Sequence, residues 1–291
     1  MYNNYCMYFD PKTTKYPYPE YTDGHYIDVV EKKHHVFDEN YPYIDESKSF
    51  KFKRFWVRFL LNIIVFPVAK IWYGLKVKGK RNLKNHKQII KEGVISVTNH
   101  IAFWDYIFLM RTINHIRPNV LVWAPNINGP SGGVMRLVGG IPIPENNLKA
   151  TMKYYTYIDK LLNKDHGWLQ IYAEGSMWEY YAPIRPFKRG SSFFAIQFNK
   201  PIIPIAYSYR KPSWFRKKIL RQIATITINV GDPIFPDNSI ADKNERELDL
   251  TNRVHKKICE LAGIEKNIYP SIFDHSKRVD YYSKDSKDSC K

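Results

Sequence analysis

The chain has 291 residues, 45 Lys+Arg against 28 Asp+Glu for a formal net charge of +17, and 44% hydrophobic residues. That balance argues against wholesale disorder, collagen-like sequence and a multi-span membrane protein, and the length admits one large α/β domain or two smaller ones. Cys6, Cys259 and Cys290 are scattered and lack any C-x-x-C spacing, which argues against a disulfide framework or a thiolate metal site and suits a reducing compartment.

The charge is partitioned. Residues 1–50 hold nine acids and five Lys/Arg, a net of −4, so residues 51–291 carry +21. The first fifty residues also contain nine of the 22 tyrosines, several beside proline (YPYPEY, NYPYID), with neither helical nor strand periodicity. They are expected to form an irregular acidic extension, either a wrap packed on the body or, as Tyr and Pro at this density can also mark, a recognition segment. The N-terminus shows no apolar h-region and no Arg-rich transit pattern, so the reading is of a protein without a signal peptide that works on the cytoplasmic side.

Residues 51–75 change character abruptly. The run Phe59–Ala69 is weakly polar throughout, with Lys48, Lys51, Lys53, Arg54 and Arg58 before it and Lys70, Lys76, Lys78, Lys80 and Arg81 after it. An apolar core this short falls below the roughly 20 residues a spanning helix needs, unless Arg58 and Lys70 snorkel. With Phe55, Trp56, Phe59, Trp72 and Tyr73 interleaved, it reads as an amphipathic helix in the headgroup plane of an anionic membrane, or else as a buried helix with solvated ends.

From residue 76 strands and helices alternate. Gly93–Thr98, Asn119–Ala124, Gly167–Ala173, Pro201–Tyr209 and Gln222–Val230 read as strands. Asn147–Asn163 reads as a helix with a stripe of Leu148, Met152, Tyr155, Ile158 and Leu162. A last helix at about Glu245–Ala262 ends at Gly263. The alternation predicts an α/β fold over 76–270, a central mixed, mostly parallel sheet flanked by helices, followed by a polar tail at 271–291. Trp123, Trp168, Trp178 and Trp214 are expected in the core or along the wall of a binding cavity. Gly129–Gly133 reads as a turn, and the adjacent His34 and His35 as exposed rather than metal-binding.

In such a sheet the chemistry is sought at strand ends. The first strand runs into Asn99, His100 and Asp105. In one continuous helix His100 and Asp105 would lie about 140° apart and could not meet. If His100 occupies a turn and Asp105 opens the next helix, the carboxylate can fix the tautomer of the imidazole and leave the other ring nitrogen as a base that activates a hydroxyl. A second constellation ends the third strand: Glu174, Gly175 and Ser176, followed by Arg185, Lys188, Arg189 and Gly190. Carboxylate, glycine, hydroxyl and cations together suit an anion-binding rim, although a basic run of this kind is also a common solvated surface.

These blocks, in this order, with Val77-Lys78-Gly79, Asn82-Leu83, Met135-Arg136, Gly139-Gly140-Ile141-Pro142-Ile143 and Pro201-Ile202-Ile203-Pro204 between and beyond them, resemble the glycerolipid acyltransferase family, which includes the 1-acylglycerol-3-phosphate acyltransferases. The resemblance runs from about Val77 to Ile234. It implies the glycerolipid acyltransferase fold and a membrane-associated O-acyltransferase that moves a fatty acyl group from acyl-CoA or acyl-carrier protein to a hydroxyl of a lysophospholipid or related acceptor. No metal and no bound cofactor are implied; the thioester is a co-substrate. His100 is then the general base and Asp105 its partner, with Asn99, Glu174, Gly175, Ser176, Arg185, Lys188, Arg189 and Gly190 binding substrate. The sequence departs from the family pattern twice. Glu145 stands where relatives that take phosphorylated glycerol carry an Arg, which disfavours a phosphate monoester, and Ser176-Met177 replaces the commoner Thr-Arg. Two other readings stay open: a catalytically weak lipid-binding or transacylating relative, and a basic nucleic-acid-binding protein. Against the latter, no nucleic-acid motif accompanies the charge. The partners expected are therefore an anionic membrane surface, the thioester donor and a lysolipid, and no nucleic acid.

Overall fold

The computed structural model describes residues 18–19, 21–113, 118–145 and 147–274. The first seventeen residues, Asn146, Cys6, Cys290 and the tail from 275 lie outside the described residues.

Seven strands form one sheet: β1 (Lys76–Lys78), β2 (Val94–Thr98), β3 (Asn119–Val122), β4 (Gly140–Pro142), β5 (Trp168–Tyr172), β6 (Ile202–Arg210) and β7 (Thr225–Val230). Their order is β1-β7-β6-β2-β5-β3-β4, and every neighbouring pair is parallel except β6 and β7. The sheet is thus mixed and mostly parallel, as expected. The continuous apolar runs of β2 and β5 are what a central strand covered on both faces requires. One face carries Ile95, Val97, Leu169 and Ile171 against helices α7 (Leu148–Asp159), α8 (Gly190–Gln197) and α10 (Lys243–Ala262). Val94, Trp168, Ile203 and Ile205 face the other way, onto α4 (Asp105–Ile113) and the short helices α2 (Lys80–Asn85) and α3 (Lys87–Lys91). Two more short helices, α5 (Ala124–Asn128) and α6 (Gly132–Val138), connect β3 to β4.

A polar patch sits within this second layer. The Trp168 indole donates to Ser96 Oγ at 2.6 Å, Ser96 donates to Gln170 Oε1, and the Gln170 amide donates to Thr98 Oγ1 at 2.9 Å. Buried polar side chains tolerate such a position only when paired, and paired side chains of this kind fix one register between β2 and β5. That register sets Thr98 beside Tyr172, which brings the two strand ends together.

The helix before the sheet, α1 (Lys48–Trp72), is 25 residues long, and by length and composition it is able to cross a membrane. The sequence reading, centred on the short Phe59–Ala69 core, understated it. The helix passes through a π-turn at Leu61–Val65, where Pro67 supplies no N–H and its ring would collide with the preceding turn of a regular helix. One stripe packs inward: Leu61 and Phe66 meet Ile107, Met110 and Val138. Arg54 and Arg58, expected to face headgroups, turn into the body instead, Arg54 donating to Asn119 Oδ1 and Arg58 to the carbonyls of Pro118 and Val138. Phe52, Phe55, Trp56, Phe59, Ile63, Ile64, Val68, Ile71 and Trp72 remain exposed.

Two expectations are corrected here. In α7 the buried residues are Ala150, Tyr154 and Ile158, while Leu148 and Met152 are exposed. Tyr43 of the N-terminal extension packs edge-on against Tyr154, so the covered face is chosen by a distant segment. Trp214 is 72% exposed and belongs to no core.

In α10, His255 is buried edge-on against Phe187, and desolvation pushes its pKa down to about 4. The unfolded chain binds this proton near pH 6.5, so between those values the unfolded state holds more protons and stability falls as pH falls. Unfolding followed from pH 7 to pH 4 is expected to show a loss of about 3 kcal/mol that His255→Gln reduces. Equal slopes for both proteins would contradict this.

Candidate active site

The turn after β2 folds back as the spacing requires. Asp105 N donates to the Ala102 carbonyl at 3.2 Å, and the buried Asp105 carboxylate opens α4, where the helix N-terminus favours an anion. His100 Nδ1 lies 2.7 Å from Asp105 Oδ2, and the same oxygen accepts from Ile101 N at 3.2 Å. The carboxylate therefore assigns the ring proton to Nδ1, leaving the Nε2 lone pair as the basic position.

Three tyrosines that sequence reasoning passed over hold this turn. Tyr172, at the end of β5, stacks on the His100 ring at 4.0 Å between centroids. Burial, reinforced by the neighbouring Asp105 carboxylate, drives its phenol pKa well above the ordinary value, so it stays neutral. From β6, Tyr207 donates to the Asp105 carbonyl at 2.7 Å and Tyr209 to the Ile101 carbonyl at 2.9 Å. The alternation of Tyr207 and Tyr209 along one strand was a usable signal, since both point to the face that carries the turn.

The remaining expected residues divide by position. His100, Asp105, Gly175, Ser176, Lys188 and Gly190 line a cavity of about 780 Å³, whereas Asn99, Glu174, Arg185 and Arg189 do not. Asn99 is buried and exchanges two hydrogen bonds with the Tyr207 backbone, extending the β2–β6 pairing by one side chain. Glu174 and Arg185, read as part of an anion-binding rim, are a buried ion pair at 3.0 Å. Glu174 also accepts from His100 N and Arg185 N, both at 2.9 Å, so it ties the backbone of the base to the β5 loop. Arg185 lies over the Trp178 ring, 4.4 Å from its centroid, and donates to Ser176 Oγ and to the Thr22 carbonyl. Both terminal nitrogens of Arg185 donate to protein, which directs them away from an incoming anion. Arg189 is exposed and precedes α8.

Among the described residues, Lys188 is the one lysine or arginine that lines the cavity. Gly175 adopts φ +82°, and a Cβ there would meet the Lys188 side chain at 3.0 Å, so glycine lets the lysine lie flat across the loop. The rest of the lining is largely apolar: Val120, Val122, Met135, Val138, Ile143, Phe193 and Phe194 among others.

The N-terminal extension supplies another wall. His25, Tyr26, Ile27 and Val29 face the cavity, and His25 stacks on Trp123 at 4.0 Å. The strap is pinned where the Gly24 carbonyl accepts from Ser176 Oγ at 2.8 Å and from the Trp178 indole at 3.0 Å. Ser176 is thereby committed to the strap. Burial first, then the Lys188 ammonium, lower the pKa of His25. The result is a proton-accepting imidazole at one end of a mostly apolar cavity with one lysine beside it. That suits activation of a hydroxyl next to a long aliphatic chain.

Residues 74–208 match the family model described as Acyltransferase. The 1-acyl-sn-glycerol-3-phosphate acyltransferase beta of Homo sapiens is 25% identical over 167 residues, 57% of this chain and 58% of that protein, so the match spans little more than half the relative's length. The crystal structure of the 1-acyl-sn-glycerophosphate (LPA) acyltransferase PlsC from Thermotoga maritima aligns with a TM-score of 0.47 at 15% identity, covering 75% of this chain and 85% of that one.

Proposed function

We propose that the chain, whose residues 74–208 match the acyltransferase family model, transfers a fatty acyl group from acyl-CoA or acyl-carrier protein to a hydroxyl of a lysophospholipid or related lipid at a membrane surface. The observation that carries this reading is the 2.7 Å His100–Asp105 contact at a cavity with largely apolar walls. His100 Nε2 takes the proton of the acceptor hydroxyl as its oxygen attacks the thioester carbonyl. The new C–O bond gives a tetrahedral intermediate. Its collapse breaks the C–S bond, and the imidazolium returns the proton to the departing thiolate. Asp105 stabilises the transient imidazolium, and no serine or cysteine nucleophile is required. Lys188 attracts an anionic portion of donor or acceptor. The exposed apolar residues of α1, from Phe52 to Trp72 with Lys53 and Lys70 among them, support membrane attachment, since water is a poor solvent for so many unburied large side chains.

Acceptor choice follows from Glu145, exposed directly after Ile143 and Pro144 of the cavity wall. Its charge opposes a phosphate monoester, so a lysolipid with a phosphodiester headgroup is the preferred acceptor. The test is product formation from acyl-CoA with a panel of lysolipids. Lysophosphatidate is expected to be a poor acceptor, and Glu145→Arg is expected to improve its use several-fold relative to the others by reversing one charge. Lysophosphatidate as the best substrate of the unaltered protein would refute the acceptor assignment. Absence of transfer to any member would favour a lipid-binding role.

A further inference from the structure

A second surface joins α1 at its C-terminal end. Residues 211–223 (KPSWFRKKILRQI) contain the short helix α9 (Trp214–Lys218), in which no residue is buried. Trp214, Phe215, Ile219 and Ile223 are exposed, at 72%, 55%, 59% and 47%. Interleaved with them are Lys211, Arg216, Lys217, Lys218 and Arg221, and no carboxylate occurs between Lys211 and Gly231. Such a segment is poorly matched to water, yet it is held firmly in place. Arg216 Nη1 donates to the Ile71 carbonyl at 2.7 Å and to the Trp72 carbonyl at 3.2 Å, and the Gln222 amide also donates to Trp72 O. These bonds occupy the last carbonyls of α1, which a helix end otherwise leaves to water. They also tether the segment that carries Trp214 and Phe215 to the end of α1, where Ile71 and Trp72 are exposed.

We propose that residues 211–223 are a second membrane-binding element that inserts Trp214, Phe215 and Ile219 at the boundary of an anionic bilayer while Lys211, Lys217, Lys218 and Arg221 meet the lipid phosphates. Charge complementarity and continuity with α1 identify the occupant, and the inference rests on the membrane attachment of α1 given above. The position is informative in its own right. Whether α1 lies along the surface or crosses it, its C-terminal end lies at an interface, where tryptophan and basic side chains are favoured. A second contact beside the end of α1 would fix the orientation of the body on the membrane, which a single helix lying on the surface leaves free to roll.

The test is flotation of the full chain with vesicles of phosphatidylserine and phosphatidylcholine, and with vesicles of phosphatidylcholine alone. Trp214→Ser/Phe215→Ser/Ile219→Ser is expected to reduce partitioning into both by about tenfold. Lys217→Gln/Lys218→Gln, which leaves the apolar residues intact, is expected to reduce it about tenfold on anionic vesicles only. Unaltered far-UV circular dichroism establishes that each variant is folded. If the unaltered protein floats and both variants float equally well, the second element is refuted while attachment through α1 stands. If the unaltered protein floats with neither vesicle, the membrane reading itself fails. Unchanged flotation with lost affinity for single-stranded DNA would overturn the proposal in favour of a nucleic-acid contact.

Discussion

Arg185→Met is expected to lower folding stability by about 3–5 kcal/mol, a large part of the roughly 5–15 kcal/mol that a domain possesses. The side chain is 1% exposed, and removing it strands the Glu174 carboxylate in a region that water cannot reach. The buried charge is then the source of the penalty, more than the loss of the contact. Glu174→Gln/Arg185→Met should accordingly recover part of the loss, because no charge remains unpaired. Chemical denaturation of the two variants checks this. The effect should also reach function. Glu174 anchors His100 N, while Arg185 holds the Thr22 carbonyl and lies over Trp178, whose other contacts include the stacked Tyr18. Protease sensitivity near residues 21–31 is therefore expected to rise with Arg185→Met. Stability within about 1 kcal/mol of the unaltered protein would show that the pair is not the keystone described.

Asp105→Asn is expected to leave the fold intact and to lower kcat by about 10² to 10⁴, with little change in KM. The carboxamide has the shape of the carboxylate and can still accept from Ile101 N. It cannot supply the negative charge that stabilises the imidazolium, and its NH2 group can donate to Nδ1 and so reverse the tautomer. Steady-state kinetics alongside circular dichroism separate this from misfolding. An unchanged kcat would remove Asp105 from the mechanism.

The part of the site legible in the sequence was the part built from local chain. A buried strand ending in Asn99-His100, followed by a helix that opens on Asp105, forces the chain to turn, and the turn brings base and carboxylate together. The strands were legible for a related reason, since apolar runs buried on both faces have little other use. What was not legible depended on partners far along the chain. Glu174 and Arg185 look like an open anion rim until the intervening loop folds the arginine back onto the acid. Asn99 looks available to a ligand until β6 places the Tyr207 backbone beside it. The covered face of α7 was misread because Tyr43, more than a hundred residues upstream, supplies the neighbour that buries Tyr154. The strap of residues 21–31 carried no periodic signal at all, because it makes its contacts through backbone carbonyls and stacked rings.

The excess of positive charge also divides differently from a simple flanking pattern. Arg54, Arg58 and Arg185 are committed to internal contacts. Lys188 lines the cavity, and among the exposed lysines are those flanking α1 and Lys211, Lys217 and Lys218. Those positions fit a body docked on an anionic surface with Lys188 placed for substrate.

The most direct measurement is release of free thiol from acyl-CoA on addition of a lysophospholipid, compared between the unaltered protein and His100→Ala. The account predicts acceptor-dependent release by the former and a rate lower by about 10² to 10⁴ for the latter, with circular dichroism unchanged. Equal rates for the two proteins would contradict the assignment of His100 as the base.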